Sequence, residues 1–365
     1  MNRRAILIGA GATLVAGAGV AAGSLARMGA PKGYASAMSA LRAPLRSEPG
    51  LRDVVRYATL APSGHNTQPW RFRLEDKAIR ILPDLARRTP VVDPDDHHLY
   101  VSLGCAAQNL ALAAQAHGLT GETRFEPKGA GEVVFEFKSG GAARPPLLEA
   151  ISHRQSTRSE FDARPVAASD LALLERAAQM EGVDAALIID RRRLDRIRDL
   201  VISGNSAQMA DPAFVDELKN WMRFNPRAAL AHGDGLYSAA SGNPILPTWL
   251  GGPMFDLAFK ASSENQKYAR HMDTASGVAV FVAARADPEH WVRVGWACQR
   301  FALQATALGM KVAFINQPVE VAALRDDLAA LVGAPGRRPD IVIRFGYGPS
   351  LPMSPRRPVA SVLDG

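Results

Sequence analysis

Two short segments of the chain carry residue types that could hold a phosphorylated, planar ligand. The first, Ala61–Trp70, reads APSGHNTQPW. Proline, serine, glycine and asparagine favour a tight loop, which can aim backbone N–H groups and an amide side chain at a ligand. The same composition is also typical of an ordinary connection between a helix and a strand. The segment alone therefore indicates only a candidate site.

The second segment, His153–Arg158, reads HRQSTR and places two arginines and a serine close together. Arginine offers forked, charge-assisted N–H donors that match a phosphate group, and the hydroxyl adds another donor. A solvent-facing arginine pair at the end of a helix would have the same sequence. From these residues alone both interpretations stay open.

The elements that must position these segments follow from hydrophobic periodicity. A helix over 51–60 precedes the first segment, and a hairpin over 70–74 and 78–82 follows it. Further predicted helices cover 97–118, 147–153, 169–180 and 191–221. Further predicted strands cover 132–137, 184–189, 277–284, 312–315 and 340–345. Helices and strands alternate without a regular βαβ repeat, which predicts an α+β fold.

An internal repeat indicates that the fold has two similar halves. Val101–Leu119 and Val292–Met310 match at nine of nineteen positions without a gap, including Gly104 with Gly295. Both segments are apolar on nearly all sides, so each predicts a buried helix. Two equivalent buried helices suggest two halves packed about a pseudo-twofold axis, like a dimer fused into one chain.

At this point the two segments resemble a known family. The first is similar to the A-P-S-x-x-N-x-Q-P-W-x-F signature of the nitroreductase family of FMN flavoproteins, and the second to that family's R-x-S-x-R segment. Lys311–Ile315 and the tail Leu351–Pro358 resemble the family's strand after the central helix and its basic C-terminal end. The two motifs occur once each and in reversed order. That order resembles the Acg-like subgroup of fused nitroreductase pairs.

The resemblance implies a nitroreductase-like fold with one FMN between the two halves, because each motif occurs once. It implies that the FMN phosphate is held by Arg154, Ser156, Arg158 and Arg356. It implies that the ring and ribityl chain are lined from the other half by Pro62, Ser63 and Asn66. Lys267 and Arg270 fall where the family places polar contacts to the flavin, and the backbone N–H of Gln317 where the family reaches flavin N5. The family chemistry needs no protein acid or base, so no catalytic residue is predicted.

Other sequence features exclude several classes of function. The chain has 365 residues and a net charge of +7, and its basic residues are scattered. This favours a solvated basic surface over nucleic-acid binding. Asp93–His98 contains metal-capable side chains, but an acidic helix start is the preferred interpretation, and no metal is predicted. Cys105 and Cys298 are not equivalent in the repeat and predict free cysteines in the core.

The N-terminal segment, residues 1–37, resembles a twin-arginine export signal. Arg3 and Arg4 precede an uncharged run over 5–22, and 35–37 fits a small-x-small cleavage site. A buried helix and a permanent membrane anchor are the alternatives. The signal predicts the twin-arginine machinery as a partner. It also predicts a periplasmic protein, or one associated with the outer side of the inner membrane.

The remaining chain is expected to form halves over 38–145 and 146–365, with a monomeric pseudo-dimer as the result. An insertion over 204–266 in the second half is rich in aromatic residues, glycine and proline, and predicts a lid over the flavin. The predicted function is an FMN-dependent oxidoreductase that passes electrons from a donor to a small acceptor, neither of which the sequence identifies. The alternative is a protein that stores or sequesters FMN beneath the lid. A structural protein without a cofactor ranks third.

Overall fold

The computed structural model describes residues 27–46 and 50–364, and the first half contains a four-stranded antiparallel sheet. Its strands follow the order β1-β2-β4-β3. They are β1 (Trp70–Leu74), β2 (Ala78–Pro83), β3 (Leu119–Glu126) and β4 (Glu132–Ser139). The helices of this part of the chain are α1 (Pro31–Leu41), α2 (Leu51–Thr59) and α3 (His97–Ala116). α3 lies in the main hydrophobic core and is buried over most of its length.

The second half also contains a four-stranded antiparallel sheet, with the order β5-β8-β10-β9. These strands are β5 (Val183–Ile188), β8 (Gly277–Ala283), β9 (Lys311–Phe314) and β10 (Pro339–Gly346). Its larger helices are α5 (Ala168–Ala178), α6 (Arg191–Met209), α10 (Ala261–Asp273), α11 (Pro288–Ala307) and α13 (Arg325–Val332). Two short helices, α4 (Leu148–His153) and α12 (Gln317–Glu320), position site residues.

The two halves meet where α3 packs against α11. A Cβ added at Gly104 would overlap the carbonyl oxygen of Val292, and one added at Gly295 would overlap that of Val101. These four residues are matched pairs of the internal repeat, so the contact is reciprocal. The predicted α+β fold with two fused halves is therefore confirmed.

Most predicted elements are present, but two differ. β3 was not predicted from the sequence. None of its residues is buried, so it lacks the alternation of apolar and polar residues that indicates a strand. The helix predicted over 191–221 is interrupted at Asp211, whose carboxylate accepts the N–H of Ala213 and starts a new helix, α7 (Pro212–Asn220). Proline at the first position of α7 cannot donate a hydrogen bond to the preceding turn.

The insertion over 204–266 is largely helical in spite of its glycine and proline content. It contains the end of α6, then α7, α8 (Pro226–His232) and α9 (Thr248–Ala258), and it ends within α10. Two very short strands, β6 (Met222–Arg223) and β7 (Leu236–Tyr237), pair in parallel. Asn225 caps α8 through the N–H of Ala228, which explains a helix that the glycine and proline content concealed.

The first 26 residues of the predicted export signal lie outside the described residues. Residues 31–37 belong to α1, in which Tyr34 and Met38 are buried against Ala229 and Tyr237. The predicted boundary at residue 37 thus falls inside a helix that packs on the body of the protein. Over 27–46 and 50–364, no helix has the length and apolarity needed to span a membrane.

The C-terminal tail returns from the second half to the first. The N–H of Asp364 donates to the carbonyl of Phe72, and Leu363 forms a parallel bridge with the same residue. α14 (Val359–Val362) buries Val362 in the main core. The C-terminal tail therefore packs on the first half, although it follows the second half in the sequence.

The contact at Gly104 leads to a first prediction. Gly104→Ala should lower the free energy of unfolding by about 1–3 kcal/mol or more, because the added methyl group overlaps a backbone oxygen of the opposite helix. Denaturant unfolding would measure this. Gly141→Ala, at a glycine with no neighbour within 4 Å, is the matched control and should change stability little. Equal stability of both variants would show that the helices can separate without cost.

Candidate cofactor-binding site

A cavity of about 410 Å³ lies between the two halves. This is within the range of pockets that bind small molecules and cofactors. Both segments singled out in the sequence line it, together with the insertion and the C-terminal tail. Segments far apart in the sequence therefore form one site.

The loop after α2 approaches the cavity in a strained conformation. His65, Asn66 and Gln68 have φ angles of +45°, +54° and +54°, a region that side chains other than glycine seldom occupy. Gln68 holds the loop, since its amide donates to the carbonyl of Gly233 at 2.8 Å and accepts the N–H of Arg357 at 2.9 Å. The insertion and the tail thus fix the shape of a loop from the first half, as is common at functional sites.

Pro62 and Ser63, which were predicted to line a flavin, line the cavity. Asn66 also reaches it, but its side chain is fully occupied. Its amide group donates to the carbonyls of Gly235 and Pro355, and its oxygen accepts from Arg356. Asn66 therefore acts mainly as a brace for the loop.

Arg356 was predicted to bind phosphate directly, but in this structure its donors are occupied. Besides Asn66 Oδ1, the guanidinium donates to the carbonyls of Thr59, Leu60, Ala61 and Pro355. It is buried, and burial holds the pKa of its guanidinium well below the usual value. Its contribution to the site is a buried positive charge and the fixing of the loop.

Arg42 and Arg154 lie beside Arg356 and have unused donors. The Nε atoms of both are buried without a hydrogen-bond partner. Burial lowers the pKa of each to about 10, and the charge of Arg154 contributes to the lowering for Arg42. Both charges also lower the pKa of Arg356. Arg42 and Arg154 are therefore cationic at neutral pH, and an arginine guanidinium keeps its proton in proteins. In the described parts of the chain no carboxylate forms an ion pair with any of them.

We call Arg42, Arg154 and Arg356 the arginine cluster. Like charges buried together are unfavourable unless a counter-charge joins them. Ser156 Oγ lies 3.5 Å from Arg154 and adds a hydroxyl to this end of the cavity. The cluster is thus a candidate anion site. Arg42 was missed in the sequence, where its only signal was a basic residue directly after the predicted export segment.

Arg158 was predicted to join the phosphate ligands, and it lines the cavity in a different group. It acts electrostatically on His65, Tyr268 and His271 rather than on the arginine cluster. Burial, with Arg344, Lys267 and Arg158 also contributing, lowers the pKa of His271 to about 3. A second positive region therefore lies at the Tyr268 end of the cavity.

Of the two residues predicted to make polar contacts to a flavin, Lys267 lines the cavity and Arg270 does not. Arg270 is exposed and donates to Glu160 at 2.9 Å. The two residues are three apart on α10, which would place them on one side of the helix. The Arg270 side chain points to the surface carboxylate instead of the cavity, so its position does not support the predicted contact with a flavin.

Gln317 lies where β9 leads into α12 and is buried in the cavity wall. Its Oε1 has no hydrogen-bond partner. Its backbone N–H belongs to the first turn of a helix, where no intrahelical acceptor is available. α6 can approach this point closely because Gly204 has no Cβ. A Cβ added there would lie only 2.8 Å from the Cβ of Gln317. A free N–H at this position agrees with the predicted contact to a cofactor.

The Asp93–His98 segment starts α3, as the sequence indicated. The Asp93 carboxylate accepts the N–H groups of His98 and Leu99 at 3.0 Å. The ligand atoms of Asp93, His97 and His98 lie within 4.8 Å of one another, but these groups have other partners. His97 Nε2 bonds Asp340 at 2.9 Å and its Nδ1 accepts from Arg338. His98, which also lines the cavity, was not predicted as a site residue.

The insertion supplies an apolar wall to the cavity. Six of its side chains share this role, namely Phe214, Leu218, Phe224, Met254, Phe255 and Phe259. Phe255 and Phe259 stack with ring centroids 4.3 Å apart. Gly251 lets the ring of Phe224 pack against the helix, since a Cβ there would overlap that ring. Trp249, expected among the covering aromatics, is instead 67% exposed.

The pseudosymmetric position of the loop after α2 is occupied by a short turn. α5 ends at Ala178 and β5 begins at Val183, whose N–H donates to the carbonyl of Met180 at 3.1 Å. A turn of this length cannot form a strained, cavity-lining loop like the one over 61–69. The two halves are therefore unequal at the level of the site.

The two free cysteines lie at the centre of the helix pair. Cys105 and Cys298 are buried, as predicted, and their sulfur atoms are 3.6 Å apart. Burial raises the pKa of the Cys298 thiol well above its usual value. Neutral thiols suit an apolar contact between two helices.

The fold and site define an α+β protein of two fused halves with a cofactor-sized cavity that has a cationic end. No family model matches the chain. It is 27% identical over 330 residues to "Putative NAD(P)H nitroreductase Rv3131" of Mycobacterium tuberculosis, covering 86% of this chain and 91% of that protein. It is 25% identical over 328 residues to "Putative NAD(P)H nitroreductase acg" of the same organism, covering 86% and 94%. These names support the nitroreductase family that the motifs predict.

Solved structures of nitroreductases are also similar to parts of the chain. The FMN-dependent nitroreductase NfnB of Mycobacterium smegmatis, in complex with NADPH, has 17% identity and a TM-score of 0.37, covering 56% of this chain and 87% of its own. A nitroreductase with bound FMN from Bacteroides fragilis has 18% identity and a TM-score of 0.34, covering 56% and 90%.

The arginine cluster generates a second prediction. Inorganic phosphate should raise the melting temperature of the cofactor-free protein, because it supplies the missing counter-charge and binds only the folded state. Arg154→Gln should remove most of this phosphate-dependent shift. Arg270→Gln, which removes an exposed arginine outside the cavity, is the control and should keep it. Equal shifts in both variants would contradict an anion site at the cluster.

Proposed function

We propose that the chain is an Acg-like member of the nitroreductase family and binds one FMN in the cavity between its halves. The observation that carries this proposal is the arginine cluster, in which Arg42 Nε and Arg154 Nε are buried without a hydrogen-bond partner at one end of a cofactor-sized cavity. The motifs and the whole-length similarity to proteins named as nitroreductases support the family. Their names add no detail about this chain's acceptor.

The residues present fit FMN in two separate regions. Arg42, Arg154 and Ser156 would hold the phosphate, with Arg356 adding charge and fixing the loop. Arg158 and Lys267 would face the carbonyl end of the ring, where positive charge favours electron-rich oxygen atoms. Gln317 would offer its backbone N–H to the ring centre.

When bound, FMN supplies the capacity to accept and donate one or two electrons, which amino-acid side chains lack. The protein's own residues bind, orient and shield it. The loop over 61–69 is held in one strained shape by the tail and the insertion, so it is already arranged for a ligand. The apolar wall that the insertion supplies suits a planar, weakly polar acceptor.

The electron donor is proposed to be a reduced nicotinamide nucleotide. Support comes from the names of the relatives, which specify NAD(P)H, and from the similar structure that contains NADPH. The acceptor is proposed to be a small planar molecule, since Phe224, Phe255 and Phe259 face the cavity together.

Storage or sequestration of FMN is the second candidate function. It is favoured by the insertion, which covers one side of the cavity with aromatic side chains. A covered flavin could not meet a donor, whereas an exposed one could. The two functions therefore differ in the accessibility of the ring.

Export by the twin-arginine machinery, to the periplasm or to the outer side of the inner membrane, is proposed from the sequence of the first residues. This route transports folded proteins, which suits a cofactor enclosed by two halves and a C-terminal tail. Because α1 packs Tyr34 into the body, and its hydroxyl donates to the carbonyl of Met353 at 2.6 Å, we propose that any cleavage occurs before this helix. The fused halves favour a monomer.

A third prediction tests the proposed cofactor. Purified protein should bind one FMN per chain as a monomer, because the second pseudosymmetric loop is replaced by a turn. Arg154→Ala should weaken FMN binding by about ten- to a hundredfold, the effect of losing a charge-assisted hydrogen bond. Riboflavin, which lacks phosphate, should bind both forms alike. Flavin absorbance measures the FMN content per chain, light scattering measures the oligomeric state, and fluorescence titration measures the affinities for FMN and riboflavin.

Arg158→Ala provides the comparison for this test. Its position apart from the arginine cluster predicts similar losses for FMN and riboflavin. A ratio near two FMN per chain would contradict the unequal halves, and absence of FMN binding by the wild type would overturn the proposed function.

A fourth prediction separates electron transfer from sequestration. If the insertion closes the cavity, NAD(P)H oxidation by the wild type should be very slow, while dithionite still reduces the flavin. Phe255→Ala combined with Phe259→Ala should then accelerate both turnover and FMN release. Deletion of the segment is unsuitable, since the carbonyls of Gly233 and Gly235 brace the loop over 61–69.

Trp249→Ala is the control for this pair of substitutions, because it removes an exposed aromatic from the same helix. It should change neither rate. Fast turnover by the wild type would reject sequestration and leave the oxidoreductase.

A further inference from the structure

A carboxyl group and an imidazole face each other in the cavity wall. Glu320 ends α12, one turn after Gln317, and His98 lies in the first turn of α3. Glu320 Oε1 is 3.8 Å from His98 Nδ1, and both side chains line the cavity. They come from opposite halves, and neither takes part in the predicted binding of the cofactor.

The surroundings of His98 fix its tautomer. Its Nε2 lies 3.3 Å from the backbone carbonyl of Asp340. A carbonyl only accepts hydrogen bonds, so Nε2 carries a hydrogen. The other nitrogen, Nδ1, is therefore the one that exchanges a proton, and it is the one that faces Glu320.

The surroundings of Glu320 favour retention of a proton. Its Oε2 accepts from Gln208 Nε2 at 2.6 Å, which leaves Oε1 for His98. Burial raises the pKa of Glu320, and the charges of Asp93 and Glu217 add to this, while His98 and Gln208 oppose it. The carboxyl is thus protonated at pH values where an exposed glutamate has lost its proton.

We propose that Glu320 and His98 form the proton donor for acceptors reduced in this cavity, which suits the site to quinone-type molecules. The inference rests on the proposed function. Conversion of a quinone to a hydroquinone takes two electrons and two protons. A reduced FMN would supply the two electrons and one proton, and Glu320 supplies the other proton to the second quinone oxygen. His98 then takes a proton from solvent at Nδ1 and passes it to the Glu320 carboxylate, which restores the pair.

The position of the pair agrees with this role. Gln317 and Glu320 are three residues apart in one helical turn and so lie next to each other along the cavity. Asp93 on the α3 side, Glu217 on α7 and Asp340 on β10 are the titratable groups that surround the pair, and burial raises the pKa of Asp340 to about 7. A purely structural pair would connect the halves without access to a ligand.

The test compares two acceptors in the FMN-loaded protein after reduction with dithionite. In stopped-flow measurements at pH 7, oxidation of the reduced flavin by p-benzoquinone should be about ten- to a hundredfold slower in Glu320→Gln than in the wild type. This rate loss is at the lower end of what removal of a positioned proton donor usually costs. Ferricyanide takes one electron and no proton, so its reduction should be unchanged. Glu160→Gln, an exposed carboxylate outside the cavity, should match the wild type with both acceptors.

A second measurement needs no cofactor. Infrared titration should show a carboxylic-acid C=O band that persists above the ordinary glutamate range in the wild type and is missing in Glu320→Gln. Absence of this band overturns the inference whether or not FMN binds. Equal slowing with both acceptors, or no slowing with benzoquinone, overturns it too. Failure of the wild type to bind FMN would instead refute the proposed function.

Discussion

The contact between Gly104 and Gly295 is the constraint on which the rest of the structure depends. Each glycine lets the opposite helix bring a backbone carbonyl where a side chain would otherwise lie. This close packing sets the distance between the two sheets and hence the space left between the halves. The cavity forms at the edge of that contact, where Val101 and Cys105 of α3 line it.

The site itself combines two unfavourable features that a ligand would relieve. Three buried arginines repel one another, and three consecutive or near-consecutive residues of the loop hold left-handed backbone angles. The strain is maintained by Gln68 and Asn66, which reach the insertion and the tail. An anion at the cluster would compensate the charge, and the loop would need no rearrangement to contact the rest of the ligand. Stability and binding are therefore coupled through the same residues.

The sequence predicted the elements and motifs well, since both depend on local patterns. The repeat identified α3 and α11 because glycine, glutamine and leucine recur at fixed spacing. It could not place the individual arginines. Whether Arg356 donates to a ligand or to the carbonyls of residues 59–61 depends on tertiary contacts across almost 300 positions of the chain. Arg42 and Arg270 were misjudged for the same reason, because neither motif nor helical spacing reports where a long side chain ends.

The unequal halves explain why the remaining cavity could gain new groups. In the second half a four-residue turn stands where the first half has its loop, so only one side of the pseudo-dimer needs to remain a binding site. The insertion and the tail, which have no counterparts in the first half, both reach that side. The insertion adds apolar rings and Gln208, and Gln208 orients Glu320 toward His98. A symmetric arrangement would have to repeat every such contact twice, whereas a fused chain can specialise one site with residues from all its segments.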